Sequence, residues 1–237
     1  LRPELPPQVA FVGLPPDLRM VTSSAAVVYD NSLFGATSPI MGQRYRIEAS
    51  PLLGDLTLVN VLVDVRKYIM PARPFTLAGR IMHTGRYGPD QDNPRLYPLF
   101  LGYKAVVRGY PQDAFQTNTL GCFLGVAPCS SINQLLGSKI LAANVEFRFP
   151  LFGVLGLGSG YYGGLPIEMA FFADGGVAWT GTDQAWFLGG TRKPVYSVGA
   201  ALRMNLFGFA IVELDAVRPL SRPGSGIVWQ FGLTPGF

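Results

Sequence analysis

Three side chains of this chain have the types needed for a strong buried ion cluster, yet they lie far apart. Arg108 stands in the stretch 99–110, LFLGYKAVVRGY, where Gly109 and Tyr110 follow it. A guanidinium carries a fixed charge on a planar fork of donors, and a glycine lets the backbone turn where other residues cannot. A cation so placed calls for carboxylate partners, and two lie downstream. In LAANVEFRFPL, Glu146 is in phase with Asn144 and Arg148, while Val145, Phe147 and Phe149 face the other way. In MAFFADGGVAW, Asp174 falls opposite Phe171, Ala173 and Val177. Because strand side chains alternate between faces, one loop arginine and two inward acids suggest a loop folded back into a barrel and pinned there by a single guanidinium, although spacing alone favours a solvated loop arginine. Its role is conformational and not catalytic.

Other chemistry has little to stand on. His83 is the sole histidine and shares a phase with Phe75, Leu77, Gly79 and Ile81, which reads as a structural residue near an outer rim. There is no Gly-x-Ser-x-Gly elbow, and one histidine gives weak support to a Ser-His-Asp triad. The glycines between Gly153 and Gly164 lie between strand patterns with no helix after them, against a dinucleotide fingerprint. No four-ligand metal set is visible. The excess of basic residues, +4 in all, is scattered along the chain and forms no nucleic-acid patch. No enzyme activity, cofactor or metal is expected.

The elements that position these residues are strands. Hydrophobic residues reach 49% and charged ones only 14%, yet no apolar run attains the roughly 18 to 20 residues of a membrane helix. The apolar surface must therefore be spread in alternation. The 29 Gly and 20 Pro oppose long helices, and the 16 Phe, 10 Tyr and 3 Trp favour strands and membrane interfaces. A secreted β-sandwich is the competing class, and it would normally expose more charge. The clearest alternation is LTLVNVLVDVRKYIM, with Val59, Val61, Val63 and Val65 on one side and Asn60, Asp64 and Arg66 on the other. Lipid outside and water inside account for that split. Similar patterns, in order, occur at 23–35, 43–50, 75–88, 139–149, 166–179, 195–206, 209–220 and 226–237, giving about nine strands. The first residues hold prolines at 3, 6, 7, 15 and 16 and no sustained alternation, so 1–22 reads as a linker or irregular edge and 23–237 as barrel. Between Gly88 and Lys139 lies a connection far beyond hairpin length, a lumenal loop over about 88–138.

Taken together, VRGY at 107–110, NVEFRFP at 144–150, FFADGGVAW at 171–179, SVGAALRMNLFG at 197–208 and the closing WQFGLTPGF at 229–237 resemble the C-terminal barrel of the bacterial outer-membrane assembly and secretion family, the BamA/TamA type or surface-antigen barrels. At Arg108 it takes this family motif to reverse the balance in favour of the pinned loop. The resemblance implies an all-β, antiparallel transmembrane β-barrel, of which this chain supplies about the C-terminal half of sixteen strands. It also implies the bacterial outer membrane as location, with the lipid bilayer, client polypeptides and the barrel-assembly machinery as partners. The implied function is insertion or translocation of clients through a weak seam between first and last strands. A membrane anchor for an upstream enzyme or binding domain, and a structural subunit of a larger envelope complex, are the alternatives. The start LRPELPPQV lacks a signal core, so an upstream portion is expected.

Two site expectations depend on that setting. An exported barrel meets an oxidising compartment, where Cys122 and Cys129, seven positions apart in the long loop, are expected to form a disulfide. The last strand alternates through Ile227, Trp229, Phe231 and Leu233, and its Gln230, Gly232 and terminal Phe237 match a C-terminal sorting signal. Pro235 departs from that pattern.

Overall fold

A computed structural model describes residues 17–111, 130–222 and 226–235. Eight long strands follow one another in a single antiparallel sheet: β4 Pro39–Gly54, β5 Leu58–Ala72, β6 Phe75–Tyr87, β9 Lys139–Pro150, β10 Ile167–Trp179, β11 Val195–Leu206, β12 Ala210–Pro219 and β13 Val228–Pro235. A ninth position, before β4, is filled by three short pieces. These are β1 Met20–Thr22, β2 Ala25–Asp30 and β3 Leu33–Phe34, which pair in turn with successive parts of β4. The Asn31-Ser32 step that interrupts them is held by the Asp30 carboxylate, which accepts from the Ser32 amide at 2.9 Å.

The side-chain period of two divides each strand between two environments, and here burial is inverted relative to a water-soluble sheet. Asp215 and Asp174 are 0% and 3% exposed, whereas Val145, Ile81 and Phe171 are 51%, 58% and 54% exposed. Polar groups occupy the concave face and apolar ones the convex face, the arrangement of a wall with lipid outside. Register keeps like with like. Val145 lies between Gly79 and Ala173 on the outside, while Asn144 lies between Arg80 and Asp174 on the inside.

The longest connections, 88–138 and 180–194, share one rim with the short 55–57, and at the other rim the connections are mostly short, as at 35–38, 73–74 and 207–209. Outer-membrane barrels put short turns toward the periplasm. The exception at that rim is 151–166, which opens with a one-turn helix, α1 Leu151–Val154. It returns under the sheet: the Tyr161 hydroxyl donates to Pro74 O at 2.8 Å, and the Tyr162 hydroxyl accepts from the Ala36 amide at 2.7 Å.

The described parts of the long connection have structure of their own, as its length leads one to expect. Its two arms pair as β7 Leu99–Phe100 with β8 Leu136–Gly137. Its apolar side chains Phe100, Leu101, Val107, Tyr110 and Leu135 pack on Ile140, Ala142, Ala178 and Val195 of the wall. The concave face is therefore apolar where it receives the loop and charged below it. Small wall residues make that contact close: a Cβ added at Gly176 would lie 2.7 Å from Leu101 Cδ1.

Candidate functional site: a pinned loop inside the barrel wall

Arg108 sits at the inner end of that loop and is 5% exposed. Its Nε and Nη2 donate to Asp174 Oδ2 and Oδ1 at 2.7 and 2.9 Å, its backbone amide donates to Oδ2 at 3.2 Å, and Nη1 lies 2.7 Å from Glu146 Oε1. The guanidinium also lies over the Phe172 ring, 3.4 Å from its centroid. Phe172 and Asp174 are two apart on β10, so both project inward, and the ring supplies an apolar bed without competing for the fork. Glu146 comes from the neighbouring strand β9. Sheet register thus sets one carboxylate beside the other, and the planar fork reaches both.

The residues after Arg108 complete the fit. Gly109 adopts φ 91°, and its amide donates to Gln230 Oε1 at 3.0 Å. A Cβ there would approach Val217 Cγ1 to 2.8 Å, so both backbone sign and space demand glycine. The Tyr110 hydroxyl donates to Tyr196 O at 2.6 Å and accepts from the Ser221 amide at 3.2 Å. Before Arg108, Asn144 Nδ2 donates to Val106 O at 2.8 Å, and Arg80 Nη1 donates to Ala105 O at 2.5 Å.

Arg108 is not the loop's only charged tie, which corrects the expectation of a single guanidinium. Lys104 Nζ lies 3.1 Å from both Glu213 Oε1 and Asp215 Oδ2 of β12. Arg203 of β11 meets Glu146 at 2.9 and 3.0 Å and also contacts Glu168 and Glu213, while Arg148 reaches Glu146 at 2.7 Å. Arg66 and Arg80 share Asp64, at 2.7 and 2.9 Å. Arg66, Arg80, Lys104, Arg108, Arg148 and Arg203 are thus matched by Asp64, Glu146, Asp174, Glu168, Glu213 and Asp215. This balance matters because an uncompensated charge among the buried members, Arg108, Asp174 and Asp215, would be expensive. A cavity of about 190 Å³ remains between the loop and the wall. At the short-turn rim the network ends on Ser38, whose hydroxyl donates to Glu168 at 2.8 Å, and on Arg148 Nη1, which donates to Pro39 O at 3.2 Å.

The remaining sequence candidates fall elsewhere. His83 is on the outer face, with Nδ1 2.8 Å from Ile140 O, Nε2 2.7 Å from the Tyr87 hydroxyl and its ring stacked on Trp179. Gln230 and Gly232 face inward and touch the loop, and Phe237 lies outside the described residues, as do Cys122 and Cys129. Arg203, Lys104 and Phe172 were not singled out from sequence. Phe172 and Arg203 carried a usable signal, an inward phase on their strands, whereas a lysine in an aperiodic loop carries none.

A curved antiparallel wall, apolar outside and ion-paired inside, with a long loop pinned in its concavity, defines an outer-membrane β-barrel carrying a lumenal loop. The chain belongs to the Omp85 superfamily, whose domain model matches residues 33–236. Its location is the bacterial outer membrane. Among solved structures it is similar to BamA from Haemophilus ducreyi, crystallised lacking POTRA domains 1–3, with 18% identity and a TM-score of 0.65 over 91% of this chain. The chain spans 42% of the length of that structure's chain. No curated protein matches it.

Proposed function

We propose that this barrel inserts client polypeptides into, or translocates them across, the outer membrane, by non-covalent strand exchange and without enzymatic chemistry. Superfamily membership supports the reading at the level of class. The observation that supports it further is the Arg108 fork, buried between Glu146 and Asp174, because it fixes a loop inside the lumen. Loop and wall together make a stiff framework against which a terminal strand can move. The last strand β13 presents Trp229, Phe231 and Leu233 outward, each more than half exposed. Among the described residues β13 pairs with β12 alone, and a strand edge that opens can accept a client strand by β-augmentation. We retain the terminal residues Gln230, Gly232 and Phe237 as a proposed sorting signal for the barrel-assembly machinery.

The test is reconstitution of the full-length protein in liposomes, followed by the appearance of a folded, protease-protected client barrel. Parent protein should accelerate client folding over empty vesicles, and Arg108→Ala should lose most of that acceleration. Equal rates with and without the parent protein would remove the insertion reading and leave the membrane-anchor reading.

A further inference from the structure

Strand β13 is the shortest of the long strands and, among the described residues, pairs on one side only, with β12. Its inner face is covered by something other than a neighbouring strand. Asp215 faces Gln230 and Glu213 faces Gly232 on two rungs of the β12–β13 ladder two residues apart. The loop rests on both rungs. On the first, the Gly109 amide donates to Gln230 Oε1 at 3.0 Å. On the second, Lys104 lies across Gly232, and its ammonium reaches Glu213 and Asp215 at 3.1 Å each.

Gly232 is what makes the second contact fit. A Cβ built there would stand 2.5 Å from Lys104 Nζ and 3.3 Å from Cε. The ammonium cannot step aside freely, because its two carboxylates hold it. Those carboxylates have their own need of it: Glu213 and Asp215 project to the same face of one strand, and the Asp215 side chain is fully buried. Glu213 also has Arg203, but Lys104 is the cation that reaches Asp215 and lies between the two like charges.

We propose that Lys104, with Gln230, is a positioning residue that locks the last strand to the lumenal loop, so that β13 is held from inside the barrel as well as by β12. Withdrawal of the loop then leaves Asp215 without its cation, and Glu213 with Arg203 alone, and removes the inner hold on β13. By linkage, peeling β13 away loosens the loop to the same extent. The functional meaning rests on the insertion reading above, since β13 is the strand proposed to move; the lock itself does not.

Hydrogen exchange of the full-length protein in lipid nanodiscs tests it, with heat-modifiable gel mobility as the check on folding. Lys104→Met should speed exchange of the β13 amides about tenfold or more while leaving β5 and β6 unchanged. Gly232→Ala should do the same by displacing the ammonium, and it decides the matter if Lys104→Met does not fold. Combining Gly232→Ala with Lys104→Ala should be no worse than either alone, because each removes the same contact. In the reverse direction, Gln230→Leu should increase protease cleavage within the loop. Unchanged β13 exchange in the single variants, or effects that simply add in the double, would overturn the lock. A parent protein with an intact lock and no client folding sinks the insertion reading alone; normal client folding with no coupling sinks the lock alone.

Discussion

At the scale of single residues, Arg108 is held by chemistry that no other side chain supplies. Its fork meets Asp174 with two donors and Glu146 with a third while its face lies on Phe172. Arg108→Ala leaves the buried Asp174 without its cation while Glu146 keeps Arg148 and Arg203, and breaking a buried pair from one side costs about 3–5 kcal/mol. That loss is expected in urea unfolding from lipid vesicles, together with faster proteolysis of the loop. Arg108→Lys keeps the charge but not the fork, and should give intermediate cleavage rather than parental protection. Cys122 and Cys129 yield a second expectation, resting on the oxidising compartment: mass should rise by two hydrogens on reduction, and two thiols alkylated without reductant would reject the bond. Sequence paired Arg108 with Glu146 and Asp174 through the family motifs that hold them, with the inward phase of each acid giving its direction. It said nothing of Lys104, because a loop residue has no phase from which direction can be read.

At the scale of elements, the connections 151–166 and 180–194 are tied by polar contacts that periodicity does not encode. The connection 151–166 gave no strand pattern and was legible only as glycine-rich, yet it folds back to meet two earlier turns. Tyr162→Phe removes the acceptor of the Ala36 amide, a loss of about 1–2 kcal/mol, and should speed exchange at that amide without touching the β10–β11 ladder. The connection 180–194 is held by Asp183, which accepts from Thr191 Oγ1 at 2.7 Å and pairs with Arg192. The hydrogen bond from Thr191, then that from Arg192, holds the Asp183 carboxyl below its ordinary value of 3.8. A depressed acid stabilises above its unfolded pKa and loses that contribution as pH falls through the folded one. The loop should therefore stay closed at neutral pH and loosen only below about 3.8, seen as a pH-dependent rise in pepsin cleavage that Asp183→Asn abolishes.

At the scale of the molecule, the wall was legible almost throughout, since a strand between lipid and a polar interior must alternate, and the eight long strands do. Val145 points to lipid between Gly79 and Ala173. An arginine there costs about 2–4 kcal/mol near the bilayer midplane, so Val145→Arg should lower the unfolding free energy in vesicles by that amount. A polar substitution on the outer surface of a water-soluble sandwich would have little effect. What sequence did not reveal was that β1, β2 and β3 lie end to end along β4, because weak alternation and turn residues at 23–35 do not say which partner each piece adopts. That division has a consequence for any chain lying along the same margin. Against a uniform strand, a neighbour can slide by two residues and recover all its bonds. Here a slide carries donors into the gaps at Ser23-Ser24 and Asn31-Ser32, so the margin admits one alignment and rejects its shifted copies.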